Sequence, residues 1–325
     1  MSASLKGFLF ALSGFASFST HDALIKALGG TYPAFQIIFF SVLFAFVPVS
    51  LIILADGKAD NFRPRRPGLV LLRSSLAIVA MSGGFYAFTV LPLAEVYALL
   101  FATPLLVTAL SVPLLGETVR FQRWIAVIVG LIGVVIVLRP GVSALSAGHI
   151  AALLSASANS VSSILVRKIG GQERSAVLIL YPMILMLIVM SILMPSSYQP
   201  MAVGDLGLMA AIGFLSVIAQ SAIIGAYRAA PAAVVAPLQY SQILWAALFG
   251  ALFFSETPDF YVALGSAIIV ASGLFVVWRE AQENVSARRP VTRSASFRFN
   301  TGYASSVNRP EDKEDADKDD DEKPD

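Results

Sequence analysis

Hydrophobic residues come in long runs along this chain, separated by short clusters of Pro, Gly and charge. A helix that crosses a bilayer needs about 20 consecutive, mostly apolar residues. Ten stretches reach roughly that length: Leu5–Leu28, Ala34–Leu54, Gly68–Leu91, Leu93–Leu115, Phe121–Leu138, Gly148–Arg167, Ser175–Met194, Asp205–Tyr227, Ala232–Phe254 and Phe260–Trp278. The breaks fall at Gly29-Gly30, Pro64 and Pro67, Pro92, Pro140-Gly141, Gly170-Gly171, Pro195 and Pro200, Pro231, and Pro258. Proline lacks the amide that a helix needs, and glycine weakens one entropically. The pattern predicts an all-α integral membrane protein of ten transmembrane helices, with the lipid bilayer as its solvent. The first stretch is too long for a cleaved signal peptide and lacks a small-x-small site, so it reads as a mature helix.

Lys and Arg then orient the chain. With the N-terminus inside, the inner loops and helix ends hold Lys6, Lys58, Arg63, Arg65, Arg66, Arg73, Arg120, Arg123, Arg167, Lys168, Arg174 and Arg228, against Lys26 and Arg139 outside. Positive residues favour the cytoplasmic side, so both termini are expected in the cytoplasm. Residues 279–325 are different material, with arginines first (Arg288, Arg289, Arg293, Arg298) and then "EDKEDADKDDDEKPD". Such a run cannot bury apolar area, and a disordered cytoplasmic tail is expected.

The chain repeats itself. "ALSGFASFSTHDALIKALGG" (Ala11–Gly30) aligns without gaps on "ALLSASANSVSSILVRKIGG" (Ala152–Gly171), which sets Lys26 on Arg167. "AFTVLPLA" (Ala87–Ala94) matches "AYRAAPAA" (Ala226–Ala233), and "LLGET" (Leu114–Thr118) matches "FFSET" (Phe253–Thr257), all in nearly one register. Each half, 1–141 and 148–278, then holds five spans. Five is odd, so the second half enters the membrane upside down, the inverted repeat of many secondary transporters.

The passage Leu91–Gly141 carries Pro104 in mid-helix, Gly116-Glu117 at a turn, and Gly130 and Gly133 in the next helix. The second half keeps Glu256-Thr257 and Gly273, with Ile243 in place of the mid-helix proline. These landmarks resemble the drug/metabolite transporter superfamily, in its EamA-type ten-helix branch. The resemblance covers Leu5 to Trp278 and implies a secondary carrier in a bacterial inner membrane. Two half-bundles would move a small organic metabolite by alternating access. The opening "HDALIKALGGTYPAFQIIFF" is similar to importers of riboflavin or S-adenosylmethionine, and other relatives export amino acids or amines. Arg73 fits the pattern of many relatives, whereas Ser41 stands near where they often carry Arg. Riboflavin-type vitamin uptake is the solute expected first, and amino-acid or amine export second.

A charge near the bilayer centre costs about 2.5–3.5 kcal/mol or more, so polar groups inside the spans are candidates for function. Asp22 and Lys26 are one helical turn apart in the favoured order for a pair. In one reading Lys26 snorkels outward and neutralises Asp22. In the other, His21 and Asp22 line an outer vestibule and bind substrate or a coupling proton. Glu95 and Gln36 sit at the same level and complete a polar outer mouth, although Glu95 could equally serve its own helix dipole. At mid-depth, "QYSQILW" (Gln239–Trp245) puts Gln239 and Gln242 on one face of the ninth span. Asn159 and Gln220 lie within the sixth and eighth. These amides suit a neutral or zwitterionic solute, and they also suit interhelical hydrogen bonding. Tyr97, Phe101, Tyr240 and Trp245 would give aromatic walls. Pro104 is a candidate hinge. The Ser-rich stretch Ser155–Ser163 reads as a packing face, and Glu117 and Glu256 as caps on the helices that follow them.

Composition narrows the chemistry. Hydrophobic residues make up 57% of the chain and charged residues 14%, far from a soluble domain. With no Cys and only two His, neither a metal site nor a catalytic cluster is expected. No G-x-x-x-x-G-K-[ST] occurs, so ATP-driven pumping finds no support. No enzyme activity, cofactor or nucleic-acid partner is expected. An intramembrane enzyme would need paired acids at depth, where the chain offers Asp22 alone. A membrane scaffold or sensor acting through its acidic tail is the remaining alternative.

Overall fold

The computed structural model describes residues 3–55, 62–116, 119–140, 145–170 and 172–282. They form α1 (Ala3–Gly29), α2 (Ala34–Ala55), α3 (Pro67–Val90), α4 (Leu93–Leu100), α5 (Ala102–Leu115), α6 (Phe121–Leu138), α7 (Ala147–Ile169), α8 (Ser175–Leu193), α9 (Val203–Ala229), α10 (Ala232–Val235), α11 (Ser241–Phe254) and α12 (Phe260–Gln282). Short 3-10 turns occupy Met194–Ser196 and Ala236–Tyr240. Nine stretches are long and apolar enough to cross a membrane, with Leu93–Leu115 as one of them. The tenth expected span is helical at both ends, with the Ala236–Tyr240 turn inside it.

Two of the expected helices are therefore broken. α4 stops at Leu100 and α5 starts at Ala102, with Phe101 between them at φ −72 and ψ −2. Pro104 has no amide to offer the Leu100 carbonyl, and its ring crowds that carbonyl, so the break falls one turn ahead of the proline. Pro237, which the sequence pattern did not single out, acts likewise in the second half, although Ile243 stands where the repeat would put a proline. α12 continues to Gln282, so residues 279–282 belong to a helix and not to the expected tail. The expectations for Lys58, Glu117, Gly141, Gly171 and residues 283–325 lie outside the described residues.

Termini are set locally. Gly116, in the left-handed region at φ 68, ends α5. Pro67 starts α3, and the amides of Arg65 and Arg66 just before it donate to the Glu173 carboxylate from the far half of the chain. Outward faces are apolar at helical spacing, as with Ile128, Ile132 and Val135 on α6 and Leu244, Leu248 and Leu252 on α11. Such faces suit lipid.

The closest helix pairs are α1 with α9, α3 with α7, and α6 with α12. Shifting by half the chain turns the α1–α9 pair into α7–α3 and leaves α6–α12 paired with itself. Contacts of α5 with α7 and of α11 with α1 exchange in the same way. Small residues permit this closeness. A Cβ on Gly133 would lie 2.9 Å from the Gly265 carbonyl oxygen, and one on Gly265 would lie 2.6 Å from that of Gly133. On the serine face of α7, Ser155 donates to the Ala80 carbonyl of α3 at 2.6 Å and Ser160 reaches the Thr103 carbonyl of α5 at 3.2 Å.

Candidate functional site

The two helix breaks meet. Phe101, at the α4–α5 break, stacks edge-on against Tyr240, in the 3-10 turn before α11, with ring centroids 5.1 Å apart. Tyr240 is seated by a glycine, because a Cβ on Gly273 would come within 1.7 Å of its hydroxyl. Beside the breaks lies a small, partly open cavity. Phe85 and Phe88 of α3 and Tyr97 and Phe101 form its aromatic wall, while His21, Ser155, Asn159 and Gln242 supply polar atoms. Broken helices at mid-depth bring backbone polar groups to a cavity that can satisfy them.

Of the residues expected to bind a solute, Gln242, Asn159, Tyr97 and Phe101 line this cavity, and His21 joins them. Tyr240 stands behind Phe101, and Gln239 is buried beside it, bonding its hydroxyl. Gln239 and Gln242 do not share the cavity face, because the switch from 3-10 to α geometry at Ser241 changes the register between them. Trp245 points elsewhere on α11 and stacks on Phe249 at 6.0 Å. Gln220 sits half-buried on α9, away from the cavity lining.

The ionisable groups of α1 part company. Asp22 is fully buried and does not pair with Lys26; His21 Nδ1 lies 2.8 Å from its Oδ1, and the Tyr97 hydroxyl donates to its Oδ2. Ser19 is 3.2 Å from the Tyr97 hydroxyl. The edge-on rings of Phe18 and Phe85 hold the imidazole from two directions, at 6.3 and 5.8 Å. Lys26 reaches past the helix end to Glu256 at 2.7 Å and to the Leu91 carbonyl at 2.7 Å. Glu256 does not cap the helix that follows it. It accepts the Leu93 amide at 3.0 Å, capping α4 from the other half, while Asp259 accepts the Val262 amide at 2.9 Å and caps α12.

The expected outer mouth is likewise divided. Glu95 turns to His149 on α7, 2.8 Å away. His149 Nδ1 accepts the Ser146 amide at 3.0 Å, so its Nε2 carries the hydrogen that Glu95 receives. The Gln36 side chain brackets Gln199, donating to its carbonyl at 2.8 Å and accepting its amide at 2.9 Å. Tyr32 donates to Asp205 at 2.7 Å, a bond that raises the phenol above its ordinary pKa. The Val262 amide, and after it the Arg139 guanidinium, holds the Asp259 carboxyl below its ordinary value against the effect of burial. Every one of these polar links except the Ser146–His149 bond and the Asp259–Val262 cap joins one half of the chain to the other. A second, partly open cavity lies at this end, with Glu95, Glu256 and Asp259 in its wall.

Sequence reasoning passed over Phe85, Phe88 and His149. Phe85 and Phe88 are two among 22 phenylalanines, with nothing in the pattern to set them apart. His149 looked like a helix start, which it is. Its neighbourhood with Glu95 is a contact across 54 residues that no local rule signals.

Comparison with known proteins agrees with the architecture. A solved crystal structure matches with a TM-score of 0.59 at 19% identity, covering 86% of this chain and 99% of its own, a likeness of fold. An S-adenosylmethionine uptake transporter of Rickettsia felis is 26% identical over 85% of this chain and 94% of its own. The pseudopaline exporter CntI of Pseudomonas aeruginosa is 29% identical over 82% of this chain and 94% of its own. A riboflavin transporter of Vibrio cholerae is 28% identical over 70% and 77%. The model of the EamA-like transporter family matches twice, over residues 5–139 and 146–278. This multi-pass membrane chain belongs to the EamA-like transporter family.

Proposed function

We propose that this protein is a secondary active carrier that moves a small metabolite bearing a flat ring, and that the cavity beside the two helix breaks is its binding site. The halves 1–141 and 148–278 act as inverted units, N- and C-termini in the cytoplasm of a bacterium, and rock about that cavity in its inner membrane. Pro104 serves as a hinge. The observation that carries the reading is the meeting of the Phe101 and Tyr240 breaks at a cavity with four aromatic side chains and two amides.

A riboflavin-type solute is favoured because no Asp, Glu, Lys or Arg side chain lines the cavity, while its aromatic wall suits a neutral ring system. S-adenosylmethionine also has a flat ring, and Asp22 behind His21 suits its positive charge; the Rickettsia relative supports that second reading. Export remains the alternative direction, supported by the Pseudomonas relative.

The test is the initial rate of labelled riboflavin and labelled S-adenosylmethionine uptake, in bacterial cells lacking their own importers. The wild type is expected to give saturable riboflavin uptake. Asn159→Ala and Gln242→Ala at equal abundance should each lower its efficiency about tenfold, as expected for one lost hydrogen bond. Uptake of S-adenosylmethionine alone would select the second solute. Uptake of neither, followed by efflux of preloaded amino acids or amines, would select export.

A further inference from the structure

The carrier reading leaves the most costly group in the bundle unused. Asp22 is 0% exposed about two turns before the end of a long helix, where the backbone amides are spent on the helix itself and none can satisfy a carboxylate. Burying such a charge is strongly unfavourable unless it is paired. Two side chains pair it, His21 on one oxygen and Tyr97 on the other. Both also line the central cavity, so the carboxylate is screened from the cavity by these two groups.

The chemistry of the pair follows from the atoms. With Asp22 ionised, His21 Nδ1 carries the hydrogen that faces Oδ1, and Nε2 is where a further proton adds or leaves. The protonated pair is an imidazolium beside a carboxylate and is neutral as a unit. The deprotonated pair leaves one negative charge in the cavity wall.

Among the described residues, the other charged groups packed on α1 lie near its ends or are held by partners of their own. α2 and α11 contain no ionisable side chain. On α3, Arg73 is held by the Leu178 carbonyl and Tyr86 faces outward. On α9, Asp205 binds Tyr32 at one end, and Tyr227 and Arg228 sit at the other. On α4, Glu95 is bound to His149, and Tyr97 is already part of the unit. The turn before α11 offers Tyr240, bound by Gln239. On α1 itself, Lys26 is committed to Glu256, and Lys6 lies near the opposite end of the helix.

We propose that His21, Asp22 and Tyr97 form a proton-binding site in the cavity wall, and that its occupancy governs whether the cavity stays open to water or can occlude and change sides. The protonated, neutral pair tolerates the occluded state that the bundle passes through in changing sides. The deprotonated pair requires hydration and holds the cavity open to water. The inference rests on the cavity being the transport site, but not on which solute it carries.

The chain has no cysteine, so a single introduced thiol reports on one place. Ala80→Cys on the cavity wall and Tyr198→Cys on an exposed loop would be labelled with a membrane-impermeant maleimide, using the full chain in proteoliposomes without solute. The ratio of the two rates, between about pH 5 and 8 where imidazoles titrate, removes the pH dependence of the thiol reaction itself. The ratio is expected to change several-fold across that range. Asp22→Asn and His21→Gln should flatten it, and Tyr97→Phe, which keeps the ring, should move the transition along the pH axis. A flat ratio in the wild type, or a transition that survives unchanged in both Asp22→Asn and Tyr97→Phe, would overturn the proposal. Solute uptake is measured separately, so failure of the riboflavin reading leaves this result standing.

Discussion

Glu256 divides its carboxylate between two helices of the other half: Oε1 takes the Lys26 ammonium at 2.7 Å and Oε2 the Leu93 amide at 3.0 Å. The two side chains are only 11% and 21% exposed, so solvent screens the pair weakly. Glu256→Gln is expected to lower stability by about 1–3 kcal/mol, because a charge-assisted pair becomes an unmatched cation. Thermal unfolding in nanodiscs reads this as about 2–4 °C per kcal/mol. Lys26→Gln should cost a similar amount, and the double variant should fall short of the sum by about 1 kcal/mol. Additive losses would show that the contact carries no coupling. All three residues were visible in the sequence, but the helix-surface rule joined Lys26 to Asp22. Asp22 faces the cavity wall and Lys26 faces Glu256, and only the neighbouring helices decide between those partners.

Among elements, the two breaks frame the proposed binding site, and each has a proline beside it. Pro104→Ala returns an amide to the Leu100 carbonyl and would let α4 run into α5. The initial transport rate is expected to fall several-fold while thermal stability stays the same or rises. A variant that is both slow and unstable would mean that Pro104 is needed for packing instead. Pro104 was legible as an irregularity, although not the side of it on which the helix would stop. Gly130, Gly133 and Gly273 were legible as landmarks, and each proves to be a point of close approach: added Cβ atoms would come within 2.3 Å of Leu105, 2.8 Å of Ile269 and 1.7 Å of Tyr240. A sequence can show that a position is small. It cannot show what presses against it.

For the whole molecule, five links between the halves lie at the Lys26 end, as Lys26–Glu256, Glu95–His149, Arg139–Asp259, Tyr32–Asp205 and Gln36–Gln199, while others, such as Glu173 with the Arg65 and Arg66 amides, lie elsewhere. Alternating access requires these links to part when that end opens. Lys26→Gln combined with Glu95→Gln is expected to favour the open form. Spin labels at Thr31→Cys and Thr257→Cys, unique in a chain without cysteine, should then show a larger population at long distance. An unchanged distribution would assign these links to stability alone.

Membrane residence and an all-helical fold came from the sequence by itself, because apolar length and the spacing of Pro and Gly are local properties that a bilayer converts directly into spans. The repeat was legible for the same reason, since its landmarks keep one register along the chain. Partners were decided by the tertiary structure. His21 with Asp22 and Tyr97, Glu95 with His149, and Lys26 with Glu256 depend on which helix faces turn inward and which ends coincide. In lipid both faces of a helix can be apolar, so periodicity no longer marks the inner face, and only packing against the other half fixes it.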